Sequence, residues 1–178
     1  MAELTEIQFR EGDRVVYPNH GVCVVERVGE SPGMPTDSGW YHLRWLANNS
    51  RIMVPVPNAT RVGLRRLYDK KGVADILSRL EEPQAMSGDW KERYRENLGK
   101  MRTGRLEDIA DVLQCLYLIG QRKGLSFREK KMYDHVSYLL VSEVVLVLHI
   151  SESDAEKLVE WHLEQAGRRS EERRVQTA

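Results

Sequence analysis

A change of hydrophobic period near Leu67 constrains this fold more than any other feature of the chain. Before it, apolar residues alternate in short runs, VVYP, GVCVVERV, WYHLRWL and RIMVPV, each rich in β-branched or aromatic residues and bounded by turn signals. After it, they recur at three- and four-residue spacing. A period of two alternates side chains across a strand, whereas 3.6 gathers them on one side of a helix. The reading is therefore α+β: a small, strongly bent antiparallel sheet or barrel over residues 8–67, then a compact all-α part. Residues 1–68 and 69–165 are expected as two domains, which suits 178 residues. The charged end, 166–178, reads as a frayed or disordered tail.

Local signals fill in this outline. PNHG turns the chain between the first two strands, with Pro18 fixing φ and Gly21 free to take φ > 0. SPGMPTDSG, residues 31–39, reads as a longer loop, and Asn48–Asn49 as a hairpin turn. In the strand that follows, Ile52, Val54 and Val56 share one face and Arg51, Met53 and Pro55 the other. Pro55 cannot donate to a ladder, which places it at an edge or bulge. VADILSRLEE is a short helix stopped near Pro83, and Asp89 with Glu92 has capping-box spacing for a helix from Trp90 to about Met101. Leu106, Ile109, Ala110, Leu113, Leu116 and Tyr117 form the apolar stripe of the next helix. Ser126 and Glu129 open another, whose VVLVLHI end is apolar enough to require burial. Ser151 caps a last helix, with Leu158 and Trp161 expected inward.

Several function classes find no support. The chain has no G-x-x-x-x-G-K-[ST], G-x-G-x-x-G or G-x-S-x-G element, and its five His show no metal-binding spacing. Cys23 and Cys115 are isolated, which suits reduced thiols. No apolar run approaches the ~20 residues of a membrane span, and the N-terminus lacks the pattern of a signal peptide. A non-enzymatic cytoplasmic protein without cofactor or metal is the expectation.

Charge is informative locally. The chain is neutral, with 27 basic and 27 acidic groups, and residues 69–165 are net acidic at −3. Yet residues 90–105 gather Lys91, Arg93, Arg95, Lys100, Arg102 and Arg105 against Glu92 and Glu96, directly after Trp90. From the residues alone Trp90 reads two ways. It is a helix-start Trp folded back onto the core, or an exposed aromatic wedge that unstacks a base step while neighbouring cations hold phosphates. Met53 likewise reads as a second apolar strand face or as an adaptable protein contact.

The motifs VVYPxHG, RIMVPV with VGLR, W-x-x-RY and GLS-x-x-EKKM, in this order over residues 8–150, resemble the CarD/CdnL family of bacterial transcription regulators. That resemblance implies a Tudor-like domain that docks on the RNA polymerase β subunit, with Met53, Pro55 and, less centrally, Arg51 at the contact. It implies a helical domain that touches promoter DNA in the minor groove at the upstream edge of the melting bubble. Trp90 matches the family's wedge and Arg93 its backbone contact, with Lys91, Arg95, Lys100 and Arg102 as further contacts. The chain departs from the pattern at Glu92, where many members are basic, and at Met53, where some carry Arg. The implied protein is a monomer that stabilises the open promoter complex. The alternative is a polymerase-binding adaptor with little direct DNA contact.

Overall fold

The computed structural model describes residues 9–31, 33, 38–84 and 89–176. Residues 1–8, most of the 31–39 loop, residues 85–88 and the last two residues lie outside them. The chain divides into two units, 1–67 and 68–178, and each is built around its own apolar core.

The first unit is a five-stranded antiparallel sheet: β1 (Arg14–Tyr17), β2 (Gly21–Gly29), β3 (Trp40–Trp45), β4 (Arg51–Pro55) and β5 (Arg65–Arg66). The strand order is β4-β3-β2-β1-β5, so β4 is an edge. The β1–β2 turn uses left-handed backbone at Asn19 (φ 63°) as well as Gly21 (φ 94°), and Asn49 (φ 59°) does the same between β3 and β4. Asn tolerates this region better than most side chains. The β2–β3 register shifts between Val25 and Arg27, a bulge that bends the sheet. Val15, Cys23, Val25, Tyr41, Leu43 and Val54 close over one face with Phe9, Ala59 and Leu64. Cys23 is fully buried, and loss of hydration pushes its thiol pKa up to about 11. That is the behaviour of a packed apolar side chain.

The second unit holds α1 (Lys70–Leu80), α2 (Trp90–Thr103), α3 (Leu106–Lys123), α4 (Phe127–Leu148) and α5 (Glu152–Gln176). Asp69 caps α1 by accepting from the Gly72 N–H at 2.7 Å. Gly104 ends α2 in left-handed backbone (φ 70°). Ser126 and Glu129 form a complete capping box at α4, and Ser151 Oγ accepts from the Asp154 N–H at the start of α5. The stripe of Leu106, Ile109, Ala110, Leu113 and Leu116 is buried at the centre of the unit, against Val136, Leu140 and Val144 of α4. No single helix among the described residues is long and apolar enough to cross a membrane.

Three expectations need correction here. The tail expected to fray from residue 166 is helical to Gln176. Ala166 continues the buried row of Ala155, Val159 and Leu163, so the stripe did not end where the charge run began. Trp161 is not inward: it lies off that row and is 52% exposed. The VVLVLHI segment is also only partly covered, with Val144 buried but Val145 and Val147 half-buried.

Candidate nucleic-acid interface and docking face

Helix α2 sorts its side chains by turn. Arg93, Asn97 and Met101, four residues apart, form its buried row. Lys91, Arg95 and Arg102 stand at i, i+4 and i+11, which 100° per residue brings to one side, and all three are exposed. Glu92 and Glu96 form an exposed acidic row beside them. The helix start is fixed by Asp89, whose carboxylate accepts from the Lys91 N–H. Directly after this cap stands Trp90, 52% exposed, so the indole is not folded into the core.

Six side chains in this half of the molecule are candidate DNA contacts, and the structure separates them. Trp90, Lys91, Arg95 and Arg102 reach solvent on α2. Arg93 does not: it is 7% exposed, because position 93 falls on the row facing α3. Lys100 is half-buried and committed, with Nζ donating to Asp111 at 2.9 Å. Asp111, 8% exposed on α3, also receives two bonds from Arg79 at 2.7 and 3.0 Å. Burial alone would raise the Asp111 pKa. The bonds and charges of Arg79 and Lys100 outweigh that and hold it below the usual carboxylate range.

Asp111 and the neighbouring Gln114 escape a reading of hydrophobic period. Both sit among Ala110, Val112 and Leu113, where a polar residue looks like a break in the stripe. Their spacing, i and i+3 on the same helix, is the signal that marks a shared polar row facing a partner element.

In the sheet unit, Arg51, Met53 and Pro55 share one face of the edge strand β4, as the alternation requires. Met53 is 36% exposed and pairs in register with His42 of β3. Around it lies a hollow of about 350 Å3 lined by Glu26, Arg27, His42, Arg51, Ile52 and Met53. Polar side chains rim it: the Ser31 hydroxyl meets the Met53 sulfur at 3.7 Å, Arg27 Nη2 meets His42 Nε2 at 3.0 Å, and Glu26 pairs with Arg44 at 2.8 Å and Arg51 at 3.7 Å. An apolar, flexible side chain ringed by charge on an unpaired strand edge is suited to a protein partner.

Both units match family models. Residues 9–68 match the CarD-like/TRCF RID domain and residues 72–160 the CarD C-terminal domain. A module related to RNA polymerase interaction followed by this helical domain defines a class of transcription regulator. The chain belongs to the CarD family. It is similar to "Putative transcription factor YdeB" of Bacillus subtilis (strain 168), with 29% identity over 147 residues that span 81% of this chain and 95% of the relative. A "Zinc metalloproteinase/disintegrin" of Bitis gabonica is 29% identical over 120 residues, 66% of this chain but 33% of that longer protein. Among the described residues no three His, Cys, Asp or Glu side chains cluster as metal ligands.

Proposed function

We propose that this chain docks on the RNA polymerase β subunit through Arg51, Met53 and Pro55 and stabilises the open promoter complex through Trp90. The indole enters the minor groove at the upstream edge of the bubble, and Lys91, Arg95 and Arg102 hold phosphates beside it. The observation that carries this reading is the exposure of Trp90 at the first turn of α2, next to the basic row. An indole half in water leaves a ring face open to a partner, and its neighbours are the cations an aromatic wedge requires. Arg93 and Lys100 are positioning residues in this account, since they face α3.

The mechanism is differential binding. A protein that binds the melted state better than the closed duplex shifts the equilibrium toward melting, by no more than that difference in affinity. A wedge at a step already partly unstacked meets that condition. Specificity then comes from polymerase and DNA shape, because one ring and three cations read little sequence. The protein works as a cytoplasmic monomer without a cofactor and carries out no catalysis.

The test is the lifetime of open complexes formed by purified polymerase on a weak promoter. Trp90→Ala should shorten it roughly 5- to 150-fold, the scale of one lost aromatic–base contact of about 1–3 kcal/mol. A second reading, a polymerase-bound adaptor with little DNA contact, is favoured by the burial of Arg93, the commitment of Lys100 and the acidic row at Glu92 and Glu96. Equal lifetimes for Trp90→Ala and wild type, with β-subunit pull-down still lost in Met53→Glu, would select the adaptor.

A further inference from the structure

We infer that Phe127 is a second nucleic-acid contact, a ring that stacks on an unpaired base at the same end of the helical unit as Trp90. The inference rests on the DNA-binding reading above and adds a residue and a ligand state to it.

Residues 122–131 hold Arg122, Lys123, Arg128, Lys130 and Lys131 against Glu129 alone, a second local +4. With residues 90–105 this accounts for 11 of the 15 basic groups in 69–165 and only 3 of the 18 acidic ones. The rest of that segment carries 4 basic and 15 acidic groups, and residues 166–178 add 4 basic and 2 acidic, so the remainder of the helical unit holds 8 basic against 17 acidic groups and the unit is polarised.

The helix register brings the two basic windows together. Lys100 meets Asp111 and Asn97 meets Cys115 (Nδ2 to Sγ 4.0 Å), so α2 runs antiparallel to α3. Seven residues before Asn97 is Trp90, and seven residues after Cys115 is Arg122. Trp90 is thus level with the end of α3, and α4 starts at Phe127 just beyond it. The Glu129 carboxyl agrees with this placement. Burial raises its pKa, but the Ser126 bonds and the charges of Lys123 on α3 and Arg93 on α2 outweigh burial and hold it low.

Phe127 is 76% exposed, more than any other large hydrophobic side chain among the described residues. It contributes little to the core, yet its backbone is held firmly. The Ser126 N–H donates to Glu129 Oε2 at 2.9 Å and the Ser126 hydroxyl to the same oxygen at 2.6 Å, while the Glu129 N–H donates back to the hydroxyl. This box also occupies the one acidic group of the window. Lys131, one turn on, holds its ammonium 5.4 Å from the ring centroid, and Lys130 pairs with Asp134. Lys123, Arg128 and Lys131 form no salt bridge among the described residues. An exposed ring set among cations is complementary to a base and its phosphates. A protein partner would need a wider apolar area; among the described residues of α2, α3 and α4 the exposed large hydrophobic side chains are Trp90 and Phe127. Stacking needs an open base face, so the ligand is a strand already separated from its complement.

The experiment uses the full chain with polymerase and a promoter carrying 2-aminopurine at the upstream edge of the bubble. It compares Phe127→Tyr, Phe127→Leu and Trp90→Ala. Position 127 is exposed and outside the capping bonds, so all Phe127 variants should melt like wild type. Phe127→Tyr should retain the complex lifetime, and Phe127→Leu should shorten it roughly three- to tenfold with a rise in 2-aminopurine fluorescence. A normal lifetime and fluorescence for Phe127→Leu, with Trp90→Ala impaired, would overturn the inference and leave the wedge intact. If Trp90→Ala and Phe127→Leu both behave as wild type, the DNA-binding reading fails with it. Loss of binding to phosphatidylserine vesicles in Phe127→Leu, with promoter complexes unchanged, would reassign the ring to a membrane surface and also overturn it.

Discussion

Gln114 commits its whole side chain to backbone groups at and just beyond the end of α1. Its amide donates to the carbonyls of Leu80 at 2.7 Å and Glu82 at 2.9 Å, and its own carbonyl accepts from the Gln84 N–H at 3.0 Å. The last carbonyls of any helix lack intrahelical partners, and here a residue 2% exposed supplies them. Gln114→Leu takes the donor from the buried Leu80 carbonyl and the acceptor from the Gln84 N–H, so we expect a loss of about 1–3 kcal/mol in urea unfolding, with the slope unchanged. Asp111 on the same helix gives a pH-dependent case. Its folded pKa lies below the unfolded value, so its contribution is present above the unfolded carboxylate range of about 3.9 and is lost as pH falls through the folded value. Asp111→Asn should cost roughly 2–4 kcal/mol near neutral pH, since Arg79 and Lys100 lose their shared partner. In urea melts between pH 7 and pH 2 that difference should shrink toward acid, and a constant difference would contradict the assignment. Neither residue was legible as structural in the sequence. A hydrophobic period records which positions are apolar, and a buried polar side chain shows only when its partner, 30 or more residues away, is known.

Helix α5 shows the same limit at the next scale. A charge run with Gly, GRRSEERR, reads as the end of order. Arg169 instead donates to Glu81 at 2.8 Å and also to Glu82, Arg173 reaches Glu82 at 3.2 Å, and His162 meets Glu81 at 2.8 Å. The acids lie at the C-terminal end of α1, more than 80 residues earlier, and no local pattern could pair them. The elements that were legible are those whose signal is local. The strands follow alternation, the α4 start follows its capping box, and the edge position of β4 follows from Pro55. Arg169 is 39% exposed, so Arg169→Ala should cost only about 0.5–1 kcal/mol. Ending the chain after Glu164 should cost more, because Ala166 is removed from the core as well. Thermal melts of the two variants test that order. On α2, the sorting of charges sets a salt dependence. Lys91, Arg95 and Arg102 as the phosphate contacts of that helix give a slope near 0.9 per contact, so a fourfold rise in salt should weaken its contribution to DNA binding roughly 40-fold. Arg95→Ala should lower the slope by about one, whereas removing Lys100, which faces Asp111, should destabilise the fold and leave the slope nearly unchanged.

At the scale of the molecule the proposed function divides one task between the two units, and that division has a kinetic signature. Three cations and a ring bind free duplex weakly, with a Kd in the range of about 10⁻⁴ to 10⁻⁶ M typical of non-specific contact. A polymerase-bound protein meets promoter DNA at an effective concentration near the millimolar scale, at which weak contacts become occupied. On the proposed function, the β4 face sets how much protein is present at the fork, and Trp90 sets what each bound molecule does there. Titrating wild type, Met53→Glu and Trp90→Ala against open-complex lifetime should separate these roles. Met53→Glu places a carboxylate beside the hollow lined by Ile52 and His42 and costs occupancy, so its curve should shift to higher protein concentration and still reach the wild-type plateau. Trp90→Ala leaves docking intact, so its curve should reach half-saturation at the wild-type concentration but level off at a shorter lifetime. Two variants that lower the plateau alike would mean that the docking face and the wedge are not separable functions. A Trp90→Ala curve shifted along the concentration axis with a normal plateau would mean that the indole serves polymerase binding instead of melting.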